Sequence, residues 1–432
     1  MYCLYKEFAM ANRLSTKQRL LSFFCCFAYF TSYMTRINYA AVRLAIADEL
    51  VLTLPELVAE LGIAISATSV TYGLGQFVSG VLGDKLKPIP LVCLGLGGAS
   101  LCNLLMPLLY PSVYVMALVW GINGFFQALI RPPLGRIIAA NYDEKGYIDT
   151  CVAVSNSSQV ATVLTYLLIP LCLRLFDNEW RLAFYLPVIM GVIALSCWLF
   201  LVPKLMSADS DTAPKVKADA PKSATAPEPL LRIIFRSGLF IFIPAVLIHG
   251  LLRDGITAWM PDFISEVGGL GTDVSILTPA ILPIFCIVCV LIAKRICYAL
   301  PADGKSSAIL FGVCAAAALI IIPLLSCVNT LTFIVIVVLM ALITGCMHGA
   351  NHIFITRIPG AFKKEGRVSG VVGILNALTY IGGALSPYAV ALVADAGGWG
   401  MAVLLWAVLA IVSVVLCLVA SGKWNAFKKK NA

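Results

Sequence analysis

Long apolar runs alternate with short polar stretches along the whole chain. Twelve of the runs reach the roughly 20 residues that a helix needs to cross about 30 Å of hydrocarbon. They extend approximately from Leu20 to Val42, Ile63 to Val81, Leu91 to Tyr110, Val113 to Ile130, Thr150 to Leu173, Ala183 to Leu201, Gly238 to Trp259, Ile276 to Ile296, Ala308 to Cys327, Leu331 to Ile355, Ser369 to Ala394 and Met401 to Ala420. Such a series predicts an all-α polytopic membrane protein, since a helix satisfies its own backbone groups where water cannot. Between the sixth and seventh runs lies PKLMSADSDTAPKVKADAPKSATAPEP, rich in Ala, Pro, Ser, Lys and Asp. It has little to bury and reads as a flexible cytoplasmic linker. The expected organisation is an N-terminal six-helix bundle over residues 1–202, a linker over 203–230 and a C-terminal six-helix bundle over 231–432. Six spans joined to six by a polar loop is the sequence form of two pseudo-symmetric repeats.

Composition agrees with this pattern. Hydrophobic residues make up 60% of the chain and charged residues 12%, with a mean hydropathy of +0.95. Of the 31 lysines and arginines, three (Arg43, Arg174 and Arg181) fall in loops on one side, two (Arg36 and Arg253) inside spans, and the other 26 on the opposite side. By the positive-inside rule both termini are cytoplasmic, and the net charge of +9 reads as topology rather than as a surface for nucleic acid. The N-terminal stretch LLSFFCCFAYF lacks a small-residue cleavage site and is expected to be a retained first span. Most of the fifteen cysteines lie in apolar runs, without the spacing of a disulfide framework. The pair Cys286 and Cys289 has redox or zinc spacing but no companion ligands, so it reads as apolar filler.

The chemistry concentrates where polar groups interrupt the apolar runs. Arg36 lies 17 residues past Arg19, deep in the first span, and Arg253 lies at a similar depth in the seventh, 217 residues later. A guanidinium at such depth costs from ~3 kcal/mol on insertion scales to ~10 in simulations, so something anionic or polar is expected to meet it. One arginine per half suggests a carrier with a shared anion site between the halves. Tyr29, Tyr33 and Arg36 recur at i, i+4 and i+7 and share one helix face, which suits a phosphate or carboxylate gripped by the guanidinium fork. A snorkelling arginine on neighbouring carbonyls is the bland alternative. Tyr72 and Gln76 at i, i+4 line the same cavity or bond a neighbouring helix. Asn123 and Gln127 precede RPPLGR, whose Pro132 and Pro133 break or kink the fourth helix. Arg131 and Arg136, with Asp84 and Lys85 of GVLGDKLKP, are assigned to gating rather than to ligand contact. Within SNSSQ, Ser155–Gln159, some side chains are expected to face a cavity, because lipid cannot satisfy them.

In the second half, Arg253 and Asp254 need not touch, since i and i+1 point apart on a helix. His348 and His352 at i, i+4 lack a third ligand for a metal and read as polar lining or helix bonding. Asn376 and Tyr380 share a face of the eleventh span, and Gly382 and Gly383 beyond them allow bending or close packing.

These residues resemble a known family. YFTSYMTRINYA, TYGLGQFVSGVLGDKLKP, GFFQALIRPPLGR, LLRDGITAWMPDFI and NALTYIGGALSP are similar to segments of the organophosphate/inorganic phosphate antiporters of the major facilitator superfamily, over nearly the whole length. The resemblance implies that Arg36 and Arg253 hold a phosphate between the halves, that Tyr29, Tyr33, Tyr72 and Tyr380 line the cavity, and that transport proceeds by alternating access. The chain departs from the glycerol-phosphate carriers at Ile37 and Gln76, where they hold lysines, and at Ser158, where they hold a histidine. Together with His352 and Asn376 these define the candidate substrate site; no catalytic constellation, metal set or cofactor is expected.

Three functions stay open on sequence. One is exchange of a phosphate ester for inorganic phosphate. Another is proton-coupled symport of a carboxylate, with Asp254 or a histidine titrating. The third is an anion sensor, a role the family also contains. The expected partners are a small-molecule anion and the lipid bilayer, with no nucleic acid, and the expected state is a monomer in the inner membrane.

Overall fold

The computed structural model describes residues 14–51, 62–207, 228–268, 282–300 and 302–431. Among these the secondary structure is helical throughout, without a strand. The chain divides into two compact units. One comprises Met1–Ala226 with Glu365–Gly373, the other Pro227–Lys364 with Ile374–Ala432.

The first unit is built from α1 (Thr16–Glu49), α2 (Gly62–Lys85), α3 (Pro88–Leu108), α4 (Val113–Ala128), α5 (Arg131–Asn141), α6 (Glu144–Leu175) and α7 (Leu182–Ser196). Helix starts carry recognisable caps. Ser15 and Gln18 form a reciprocal capping box at α1, and the Asp143 carboxylate accepts from the Gly146 amide at α6. Each such cap satisfies backbone N–H groups that have no partner within the helix. The prolines of RPPLGR do break the fourth span: α4 ends at Ala128, and α5 begins at Arg131 with proline in its first turn. Helix α7 does not stop at the sixth apolar run. It passes through a π-helical turn, Cys197–Leu201, into Val202–Ser207, so the first residues assigned to the linker are helical. Most of the rest of that linker lies outside the described residues. Phe184 meets Trp120 and Trp180 edge to face, and Tyr39 packs tilted against Trp120, in the aromatic core of this unit. Beyond the apolar part of α1, Glu49 accepts hydrogen bonds from Trp180 Nε1 and from Arg181 Nη2 at 2.9 Å. Those two donors hold its carboxyl below the usual carboxylate range.

The second unit contains α8 (Leu230–Ser237), α9 (Ile243–Gly268), α10 (Leu282–Ala299), α11 (Asp303–Leu324), α12 (Thr330–His352) and most of α13 (Val368–Asn431), which is broken at Gly397 and Gly398. Gly398 supplies the positive φ of that break, +68°. Among the described residues ten segments are long and apolar enough to cross a membrane. The two other expected spans coincide with α2 and, in part, with α10; the start of the latter run lies outside the described residues.

Packing between α9 and α13 depends on glycine. A Cβ at Gly250 would lie 1.9 Å from the Thr379 carbonyl oxygen, and one at Gly382 would lie 1.9 Å from the Leu247 carbonyl oxygen. Ser386 Oγ donates to the Leu251 carbonyl at 2.7 Å along the same seam. Helix α11 begins at Asp303, five residues before its apolar run, and this acid is fully buried. Arg357 Nε lies 2.8 Å from Asp303 Oδ1, Trp424 Nε1 donates to Oδ2 at 2.7 Å, and Lys428 Nζ stands at 3.5 Å.

Two stability outcomes follow from these contacts. Gly250→Val should destabilise by roughly 1–3 kcal/mol through overpacking, whereas Gly312→Ala, with nothing within 4 Å of the added Cβ, should stay near wild type. Asp303→Asn should cost about 3–5 kcal/mol by leaving the Arg357 charge uncompensated. Thermal unfolding of the detergent-purified variants, followed by tryptophan fluorescence, reads all three.

Candidate functional site

Helix α1 carries two faces. Ser32, Thr35 and Asn38 lie on the face packed into the bundle. Gln127 Nε2 donates to Thr35 Oγ1 at 2.8 Å, and Ser32 Oγ donates to Gln127 Oε1. Asn103 Nδ2 donates to the Thr35 carbonyl at 2.8 Å and Asn123 Nδ2 to the same carbonyl at 3.2 Å. Asn38 Nδ2 completes the set by donating to Asn103 Oδ1 at 2.8 Å. Asn123 and Gln127 are therefore helix glue that fixes the rotation of α1 against α3 and α4. That rotation sends the other face, with Tyr29, Tyr33 and Arg36, to the opposite side.

On that face the aromatic rings and guanidinium groups form a continuous series. The Arg36 guanidinium carbon lies 4.3 Å from the centre of the Tyr72 ring and 5.4 Å from that of Tyr33. Tyr33 meets Tyr29 edge to face at 5.1 Å, and Arg131 stands 5.7 Å from the Tyr29 ring. The tyrosine π-faces offset part of the cost of keeping these charges away from water. Arg131, assigned to gating from the sequence, is buried in this series beside Tyr29. Arg136 instead donates to the carbonyls of Gly83 and, at 2.8 Å, of Leu86, capping the C-terminal end of α2. Asp84 and Lys85 lie at that same end, where Glu365–Gly373 also belongs to the first unit. There Gly83 sits at a close approach, since a Cβ on it would meet Ser369 Oγ at 2.0 Å.

Gln76 and Ser158 are both buried. The serines of SNSSQ are satisfied without a cavity. Ser155 donates to the Cys151 carbonyl at 3.0 Å, Ser157 to Val154 at 2.7 Å and Ser158 to Ser155 at 2.7 Å. Short hydroxyls can bond back onto their own helix, so polarity alone does not require a cavity beside these three.

In the second unit Arg253 is buried on α9 and its guanidinium carbon lies 5.4 Å from the centre of the Tyr380 ring of α13. Arg253 and Asp254, which the sequence left free to touch or not, do touch. Nε donates to Oδ1 at 2.6 Å and Nη2 to Oδ2 at 2.9 Å, a two-pronged ion pair. The backbone directions diverge, but the long arginine side chain reaches back to its neighbour. Asn376, one turn before Tyr380, is buried on the same helix, and so is His352 on α12. The sequence reading missed His249. It is fully buried one turn before Arg253, its Nε2 bonds the Met347 carbonyl at 2.9 Å, and its ring meets Phe354 edge to face. The i, i+4 spacing to Arg253 was the available signal.

Each unit thus sets an arginine, deep in an apolar helix, against a tyrosine ring. Residues 25–372 match the family described as the Major Facilitator Superfamily. The chain belongs to that superfamily. It is 25% identical to the glycerol-3-phosphate transporter of Bacillus subtilis over 230 residues, 50% of this chain and 51% of that one. It is 31% identical to a probable hexose phosphate transport protein of Chlamydia muridarum over 180 residues, 41% of this chain and 37% of the relative. It is also 29% identical to the membrane sensor protein UhpC of Salmonella typhimurium over 114 residues, 26% of this chain and 25% of that one. The aligned parts span about half the length of these curated relatives or less. These relatives are consistent with the organophosphate/inorganic phosphate antiporter family that the sequence resembles. Among solved structures, the transporter FucP in its outward conformation superposes with a TM-score of 0.69 at 15% identity, covering 94% of this chain and 99% of that one, which shows the fold. The chain is a multi-pass membrane protein of a transporter family, and the relatives named above are transporters or a membrane sensor rather than enzymes.

The Tyr72 contact can be tested directly. Tyr72→Phe keeps the π-face and should bind anion more tightly than Tyr72→Ala does. Tyr72→Ala removes it and should weaken binding roughly two- to thirtyfold, the range of a desolvated cation–π contact. Titration of purified protein with phosphate and phosphate esters gives the measurement.

Proposed function

We propose that this protein is a secondary carrier of a small organic anion, a phosphate ester exchanged for inorganic phosphate by alternating access. It works as a monomer in the inner membrane, with both termini cytoplasmic. The observation that carries this reading is the repeated cradle: Arg36 against Tyr72 in one unit and Arg253 against Tyr380 in the other. Guanidinium groups held at membrane depth on ring faces keep their preference for a phosphoryl or carboxyl group, which matches their planar fork. The names of the relatives support a phosphate ester as the cargo. Tyr29, Tyr33, Gln76, Ser158, Asn376 and His352 are proposed to shape the site. Asp84, Lys85, Arg131 and Arg136 are proposed to serve the conformational change.

One specific observation favours a second reading, proton-coupled uptake of a carboxylate: Asp254 places an ionisable group directly on Arg253. In that case uptake collapses with a protonophore, and its pH dependence disappears in Asp254→Asn. A third reading, an anion sensor, has the likeness to UhpC behind it; it requires binding without flux.

Proteoliposomes loaded with phosphate should take up labelled ester, and phosphate-free vesicles should not. Uptake equally fast from empty vesicles would reject exchange. Arg36→Lys and Arg253→Lys keep the charge and lose the fork, so each should lower uptake by at least about tenfold, the loss of one charge-assisted hydrogen bond. Unchanged uptake in both variants would remove the arginine cradles from the mechanism.

A further inference from the structure

Asp254 already occupies the place on Arg253 that a substrate anion would take. Its two oxygens meet Nε and Nη2, the side-on geometry that a free carboxylate or phosphate adopts on a guanidinium. The Tyr380 ring stands 5.4 Å from the guanidinium carbon. Room for the carboxylate is built into the neighbouring helix. A Cβ at Gly383 would lie 2.1 Å from Asp254 Oδ2, so any larger residue there would push the carboxylate away from its pair. The aspartate is also the more open partner, with 36% of its side chain exposed against 11% for the arginine. A ligand approaching this pair meets a carboxylate at the more open position.

We infer that Asp254 is a specificity-determining residue that selects anions carrying an ammonium group close to their phosphate or carboxylate. Resting on the anion-carrier reading, this narrows the substrate class. The Arg253–Asp254 pair has no net charge, and a plain dianion gains little from it: it displaces the carboxylate or sits against it. A zwitterion gains twice, because its anionic end shares the guanidinium while its ammonium takes the carboxylate. Charge complementarity of this kind acts on specificity more than on total affinity. Gly383 and Tyr380 act here as positioning residues, one making room for the carboxylate and the other facing the guanidinium.

The test uses two ligands that share a phosphate ester and differ at one end, glycerol phosphate with hydroxyls and phosphoethanolamine with an ammonium. Binding to the purified full-length protein is measured for wild type, Asp254→Asn and Asp254→Glu, with elution volume and melting temperature as folding controls. Wild type should prefer phosphoethanolamine by about tenfold or more, the discrimination of one well-placed charge pair. Asp254→Asn should reverse the order, gaining glycerol phosphate and losing phosphoethanolamine, while Asp254→Glu retains the wild-type order. Gly383→Ala, which keeps the charge but crowds the carboxylate, should flatten the preference. A wild type indifferent to the ammonium, or an Asp254→Asn variant that changes both ligands by the same factor, overturns the inference and leaves the carrier reading standing. Wild-type protein that binds neither ester, nor phosphate, nor a carboxylate overturns both.

Discussion

A guanidinium removed from water has to be met by something, and in this chain the way each arginine is met decides what it can do. Arg357 is met completely: it faces the fully buried Asp303 carboxylate and donates to the Cys297 carbonyl at 2.8 Å. A charge compensated in this way holds α10, α11 and the end of α12 together and has little left for a ligand. Arg36 and Arg131 lie over tyrosine faces. A ring quadrupole offsets part of a buried charge, on the order of 0.5–2 kcal/mol, against several for desolvation. Arg253 stands between these cases, with both a ring and a carboxylate.

Holding such groups in place falls to residues that touch no ligand. Thr35 is the hub in the first unit: its hydroxyl accepts from Gln127 and its carbonyl from Asn103 and Asn123, so bonds from α3 and α4 fix the rotation of α1. One turn of error there would swing Arg36 away from Tyr72. In the second unit the same task is done by absence. Gly250 and Gly382 bring α9 and α13 within backbone reach, Gly255 and Gly383 make room for the Ser386 and Asp254 side chains, and Ser386 donates across the seam to Leu251. Polar bonds and glycine contacts are the two means by which helices associate where apolar burial gives no preference between lipid and protein.

What the sequence could show follows the range of each signal. Spans are legible because twenty apolar residues in a row have few other meanings, and the break before Arg131 is legible because two prolines leave the helix no choice. The depth of Arg36 and Arg253 is legible for the same reason. The fates of the polar groups are not, because they depend on neighbours far along the chain or on side-chain reach. Asn123 and Gln127 find their partner in Thr35, some ninety residues away on α1. Ser155, Ser157 and Ser158 bond back one turn along their own helix, an outcome that polarity alone does not distinguish from a cavity. Backbone periodicity sends Arg253 and Asp254 in different directions, and only the length of the arginine side chain brings their charges together.

The charge inventory of the site separates this chain from the carriers it resembles. Where the resembled carriers hold two lysines and a histidine, this chain has Ile37, Gln76 and Ser158. The structure offers no cation in their stead at those positions: Gln76 is buried, and the Ser158 hydroxyl donates to its own helix. Asp254 stands on Arg253, one of the two arginines of the proposed site. Beside Arg253 that acid leaves a pair without net charge. Fold and cargo need not rest on the same residues: helix register and glycine seams hold the fold, while the proposed cargo site rests on a few charged side chains deep in apolar helices.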